Sequence, residues 1–292
     1  MPPNASCRAP RLLLWLFLAL GALRMVLYLG YAAGTLPLPL EAFHLEAKMV
    51  LLAYRVEHRL SLYPDWWSYP HVANFFGPAY FVIVGLLGRL GHADIAGLFA
   101  IGRALSFGST LLTTLIVALW SGRKWGRSAG VVAGVYGLGT GPMYGVSAMT
   151  RPDALAELLG LGGFLLTGAR SRRGRLAGMA LLILAILTKQ TAGVYLLAAL
   201  VATALEGEPR RALASLAGAT LVLVVLVVAG TAWFEPLFAR SLLGEAQMPW
   251  DRAAWRTLML DLVRLSPEVL VLPLLGLGSW LGSRPRDVRP AV

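Results

Sequence analysis

Residues Glu41–Tyr80 read EAFHLEAKMVLLAYRVEHRLSLYPDWWSYPHVANFFGPAY, a stretch rich in acids, bases, histidines and aromatics within an otherwise apolar chain. Such a segment gains nothing by entering hydrocarbon, so it is read as an extramembrane loop where recognition or chemistry concentrates. The apolar run overlapping its end, Phe76–Leu90, decides how the remainder is threaded. As a helix rising 1.5 Å per residue it reaches only roughly 22 Å, short of a ~30 Å hydrocarbon core. If it crossed, every later basic cluster would lie outside; if it rests on the outer surface, all of them lie inside. Those clusters are Arg123, Lys124 and Arg127; Arg170, Arg172, Arg173 and Arg175; Arg210 and Arg211; and Arg284, Arg286 and Arg289. The positive-inside rule therefore favours a juxtamembrane helix for this run.

Composition agrees with a membrane bundle. Of 292 residues, 57% are hydrophobic and only 14% charged, with mean hydropathy +0.67, whereas soluble domains carry about 25% charged residues. The net charge of +11 does not indicate nucleic acid, because the arginines alternate with apolar runs instead of lining one face. Cys7 is the single cysteine, so an intramolecular disulfide is excluded. The sequon Asn4-Ala5-Ser6 falls on the expected cytoplasmic side, and the N-terminal apolar run reads as an uncleaved anchor. His44, His58, His71 and His92 have no metal-ligand spacing, and no Walker, GxSxG or HExxH motif is present.

The expected fold is an all-α, polytopic transmembrane bundle of about eight spans with both termini cytoplasmic. The spans are Leu12–Ala33, Leu98–Trp120, Ala129–Ala148, Ala154–Ala169, Leu176–Leu187, Thr191–Leu205, Leu213–Phe234 and Val269–Leu281. The chain is read as one integral domain, 1–292, with a first outer loop at 34–97 and a second at 235–266. Gly137, Gly141 and Gly145 have small-xxx-small spacing, which predicts close approach of a neighbouring helix. Arg24 lies near the middle of the first span, where an ionisable group is either functional or snorkelling.

Four polar sets then converge on the outer face: the Glu41–His71 loop, Arg151 with Asp153, Lys189 with Gln190, and the loop from Glu235 to Asp261. On a helix over Leu45–Leu60, at ~100° per residue, Lys48, Arg55 and Arg59 fall within about 40° of one another and suit anionic headgroups. Glu46 and Glu57 form a second stripe, and Glu46, at the helix start, is free to point into a cleft and act as a base. Asp153 opens a span, where the helix dipole favours a carboxylate whether or not it is functional; Glu157 lies one turn deeper. Lys189, set against the inside bias of basic residues, wants an anion or snorkels. Trp66, Trp67, Tyr69, Trp250 and Trp255 read as interfacial anchors.

The order of these segments resembles a known family. LAYRVEHRLSLYPDW is followed by FFGPAYFVIVGLLGRLG, IGRALSFGSTLLTTLIVALWSGRKWGRSAG, SAMTRPDALAELLGLGG and AILTKQTAGVYLL. Over about Leu12–Leu205 the chain resembles the GT-C superfamily of glycosyltransferases, which includes protein O-mannosyltransferases and aminoarabinose transferases. The resemblance implies transfer of a hexosyl or pentosyl group from a polyprenyl-phosphate donor to a glycan, lipid or protein acceptor outside the cytoplasm. It implies Glu46, with Glu41 as substitute, as the catalytic base. It implies that Asp153 shapes the site or holds a divalent metal ion, and that Lys189 reads the donor phosphate. Arg55, Arg103, Arg151, Gln190 and Tyr63 complete the expected substrate-binding set. A bacterial inner membrane is the expected location. A transporter or a non-catalytic lipid-binding scaffold is the rival expectation.

Overall fold

A computed structural model describes residues 8–42, 45–65, 74–139 and 147–244, together with 253, 256, 257 and 260. Backbone contacts group Met1–Gly139 with Met143–Met248 as one compact unit and Thr140–Pro142 with Pro249–Val292 as a second; the first is described here. The expected span Val269–Leu281, most of the loop 235–266, and Gly141, Gly145, His44, His71, Trp66, Trp67, Tyr69, Trp250 and Trp255 lie outside the described residues.

All regular structure among the described residues is helical: α1 (Arg8–Thr35), α2 (Glu46–Glu57), α3 (Ala79–Gly91), α4 (Ile95–Trp125), α5 (Arg127–Gly139), α6 (Asp153–Thr167), α7 (Arg172–Thr188), a 3₁₀ turn (Gln190–Ala192), α8 (Gly193–Leu205), α9 (Pro209–Ala229) and α10 (Phe238–Gly244). Three stretches, Trp15–Thr35, Ile95–Trp125 and Pro209–Ala232, are long and apolar enough to cross a membrane. Their most apolar windows are only 17%, 22% and 11% buried, so their Leu and Val side chains face outward, as lipid-exposed helices require. α6, α7 and α8, with 15, 17 and 13 residues, are shorter. α5 covers only the first part of the expected span Ala129–Ala148.

Local chemistry sets the element ends. Asp94 caps α4 by accepting from the Gly97 N–H at 2.7 Å, satisfying a donor that the first turn leaves orphaned. Ser171 does the same for α7 through Gly174 at 3.1 Å. His92, at φ 50°, ends α3 while the Ala93 N–H returns to the Gly88 carbonyl at 2.9 Å, a left-handed helix stop. α2 ends at Glu57, and Arg59 turns away at φ 56°. The expected helix to Leu60 is thus corrected: Arg59 does not continue the basic stripe of Lys48 and Arg55, because the chain reverses before reaching it.

Pairwise contacts give the threading. α5 runs back along α4, where Gly130 lies against Gly122 and Ala118, and Gly137 lies against Thr114. It also packs on α1: Tyr136 stacks on Phe17 at 4.1 Å and donates to the Phe17 carbonyl at 2.7 Å. Further on, Ser147 meets the Tyr28 hydroxyl at 2.6 Å and Thr150 reaches the start of α4. α6 descends from there, and α7 returns beside it with Gly163 on Gly178. One end of the unit therefore gathers the end of α1, the starts of α2, α4 and α6, and the end of α7. Over it sits a core of α2, α3 and α10 side chains, in which Leu52, Tyr80, Phe81 and Val84 are wholly buried. Arg123, Lys124, Arg172, Arg175 and Arg211 belong to the other end.

Candidate functional site

Two polar centres occupy the end where α1, α2, α4, α6 and α7 meet. The first is closed. Glu46 and Arg103 are both 0% exposed and pair through two parallel bonds, Nε to Oε1 at 2.7 Å and Nη2 to Oε2 at 2.8 Å. Oε1 also accepts from the Thr150 N–H at 2.8 Å, and Oε2 from the Ala42 N–H at 2.9 Å. Arg103 gives its remaining N–H groups to the carbonyls of Thr35, Leu38 and Leu40, which follow the last turn of α1. The Thr35 carbonyl closes α1, where the negative end of the dipole favours a cation, and the Leu38 and Leu40 carbonyls belong to the segment just beyond it. Every strong acceptor position of Glu46 and every donor of Arg103 is thereby used. Burial alone would raise the Glu46 carboxyl, but the Arg103 guanidinium and the two backbone N–H groups outweigh it and hold the carboxyl below its ordinary value. Leu45, just before it, keeps φ 75°, a conformation costing a non-glycine residue about 1–3 kcal/mol, which the pair next to it over-determines.

This corrects the expectation that Glu46 is free to act as a base from a cleft. A carboxylate with four donors and no exposure has no lone pair to offer an incoming hydroxyl. Arg103 is likewise taken by Glu46 and the carbonyls of Thr35, Leu38 and Leu40 instead of an anion. The pair is a positioning device: through Thr150 it fixes the segment that leads into Arg151, Pro152 and Asp153. Glu41, the substitute, accepts from the Ala47 N–H at 3.3 Å.

The second centre is open. Asp153, first residue of α6, accepts from Lys189 Nζ at 2.6 Å through Oδ1 and from Arg151 Nε at 3.2 Å through Oδ2. Side-chain exposures of 16%, 20% and 22% for Asp153, Lys189 and Arg151 leave all three accessible to a ligand. Lys189 caps the end of α7 in extended conformation and lies 5.8 Å from the Phe76 ring centroid. Beside the ion pair opens a cleft of about 190 Å³, lined by Asp153, Glu157, Lys189, Thr191, Val194 and Tyr195 among others. That is below the ~300–1,000 Å³ of sites that engulf drug-sized ligands, so the cleft suits a headgroup and not a whole lipid. The larger cleft of the unit, about 430 Å³, has no carboxylate in its lining.

The other expected contacts hold loops. Tyr63 is buried, donates to the Phe76 carbonyl at 2.8 Å, and has its phenol pushed up by burial and by Glu235. Arg55 Nε donates to the Ser61 carbonyl at 2.5 Å, bracing the turn after α2. Gln190 Nε2 donates to the Phe75 carbonyl at 2.5 Å. Glu235, delivered by a π-turn at Gly230–Phe234, clamps Ser61 Oγ and the Leu62 N–H, both at 2.6 Å. The partners of Glu235 are not legible in the sequence, and neither Thr150 nor Tyr195 is among the expected site residues. Thr150 carries no signal because its role is exerted through its backbone, whereas Tyr195 is visible as the aromatic of TKQTAGVY.

The two Asp153 oxygens face two cationic side chains, Lys189 and Arg151. Among the described residues, no three His, Cys, Asp or Glu side chains gather as a metal site. No family model, curated protein or solved structure matches this chain.

Proposed function

We propose that the chain is a polytopic glycosyltransferase of the GT-C type, with about eight spans and both termini cytoplasmic, in the inner (plasma) membrane. It moves a hexosyl or pentosyl group from a polyprenyl-phosphate donor to an acceptor hydroxyl on the extracytoplasmic side. The observation that carries the reading is the accessible Lys189–Asp153–Arg151 cluster, of which Lys189 and Asp153 line the small cleft, within the segments that resemble the family. A cation pair can stabilise a departing phosphate, and a carboxylate beside it can take the proton of an attacking hydroxyl.

In this reading Lys189 exchanges partners. Without donor it rests on Asp153; when the donor phosphate enters, Lys189 and Arg151 turn to its oxygens and release the Asp153 carboxylate. Asp153 then takes the proton of the acceptor hydroxyl, whose oxygen attacks the anomeric carbon from the face opposite the phosphate. The bond from that carbon to the phosphate oxygen breaks, its electron pair leaves on the polyprenyl phosphate, and the two cations stabilise the charge. The sugar inverts at the anomeric carbon. No metal-dependent step is needed.

Purified protein in proteoliposomes, given hexosyl- and pentosyl-linked polyprenyl phosphates, is expected to release polyprenyl phosphate. Lys189→Met is expected to lower that rate by about 10²–10³-fold, the typical cost of losing one electrostatic stabiliser. Movement of intact donor across the bilayer without cleavage would instead establish a transporter.

A further inference from the structure

The larger cleft, about 430 Å³, lies between α7, α8 and α9 at the end opposite Asp153. Its depth is apolar, with Met179, Leu200 and Val222 among the lining. Its rim carries Arg172, Arg175 and Arg211 and no carboxylate belongs to the lining. Arg172 and Arg175 fall in the first turn of α7, and Arg211 in the first turn of α9. Cations at helix N-termini oppose the dipole, so these three raise a positive potential that the helix ends reinforce. The counter-charge supplied by the chain is small: Arg211 pairs with exposed Glu208 at 2.6 Å, and an exposed pair of this kind interacts only weakly. Arg175 spends its donors on the carbonyls of Ala169 and Arg170, and Arg211 reaches the Thr167 carbonyl. Hydrogen bonds to carbonyls orient these guanidinium groups at the rim without neutralising them.

An apolar groove with a tri-arginine rim complements one kind of molecule, an anion joined to a hydrocarbon chain. We propose that this groove is a binding site for an anionic phospholipid, its phosphate on Arg172, Arg175 and Arg211 and an acyl chain against Met179, Leu200 and Val222. Charge complementarity selects the headgroup, and the groove separates this site from the diffuse attraction of basic loops to acidic leaflets. The site is independent of the transferase reading, since it lies at the other end of the unit and shares no residue with the Asp153 cleft.

Native mass spectrometry of the full chain in detergent, titrated with phosphatidylglycerol and with phosphatidylcholine of the same acyl chains, tests the site. One phosphatidylglycerol is expected to bind in preference to phosphatidylcholine. The variant R172Q/R175Q/R211Q is expected to weaken it by about a hundredfold, using roughly 1 kcal/mol per basic residue. Leu200→Trp, which fills the groove without touching charge, is expected to weaken it as well. R123Q/K124Q/R127Q removes the same charge elsewhere and is expected to leave binding unchanged. Equal binding of both lipids, equal weakening by the two triple variants, or displacement of the lipid by millimolar inorganic phosphate would overturn the proposal.

Discussion

Glu46 and Asp153 show how one residue type takes opposite roles through its neighbours. Both carboxylates stand at the start of a helix, and both face an arginine. Glu46 is sealed by four donors, whereas Asp153 keeps an accessible edge beside Lys189. Glu46→Gln therefore places an amide NH₂ against two donors and leaves the Arg103 charge buried without its counter-charge. Breaking such a pair costs about 3–5 kcal/mol, and thermal unfolding in detergent should register that loss. Replacing both partners with apolar residues, as in E46L/R103M, should recover part of it. The pH dependence has a definite sign. Because the folded-state carboxyl lies below its ordinary value, its stabilisation is complete above the unfolded pKa of about 4.3 and is lost as pH falls through the folded value. The wild-type unfolding midpoint should therefore drop on acidification below about pH 4.3, and the Glu46→Gln variant should lack that part of the drop.

At the scale of elements, the site depends on close approaches that only glycine permits. A methyl on Gly77 would stand 1.8 Å from the Leu187 carbonyl oxygen, a backbone atom that cannot swing aside. A methyl on Gly102 would stand 2.3 Å from Thr150 Cγ2. Gly77→Ala should therefore part the segment after Tyr63 from the end of α7, displacing Lys189 one residue beyond that helix. Its expected cost of about 1–3 kcal/mol or more is measurable by thermal unfolding, with a larger proportional loss of turnover. The long apolar helices were legible in the sequence because hydropathy and length alone define them, and Asp94 and Ser171 are recognisable caps. The end of α2 was not legible: nothing between Leu45 and Leu60 is a glycine or an early proline, and Arg59 takes its left-handed turn against propensity. The seal on Glu46 was hidden for a different reason. Its partners Arg103 and Thr150 lie 57 and 104 residues away, and a helix-start carboxylate looks free until such partners are known.

Across the whole molecule, the polar groups Glu46, Arg103, Arg151, Asp153, Lys189 and Gln190 gather at one end while the arginine clusters of α4, α7 and α9 lie at the other. That separation was readable from the alternation of apolar runs with basic loops, because charge bias constrains loops far apart in sequence. Which members of the polar set are open was not readable, since hydropathy carries no pairing information. The proposed orientation predicts that, in a Cys7-free background, single cysteines at Ala93 are labelled by an impermeant thiol reagent on intact cells, whereas those at Ser128 and Ser171 are not. Labelling at Ser128 or Ser171 would reverse the bundle. In the proposed mechanism Asp153 performs the proton transfer while Glu46 holds the frame, and turnover per folded molecule separates the two roles. Asp153→Asn and Glu46→Gln should be assayed for polyprenyl phosphate release in proteoliposomes, below the unfolding midpoint of each. Asp153→Asn is expected to lose about 10²–10⁴-fold, as loss of a general base does, while folded Glu46→Gln is expected to stay within about tenfold of wild type. A Glu46→Gln protein that is folded yet loses the larger factor, beside an active Asp153→Asn, would contradict the mechanism.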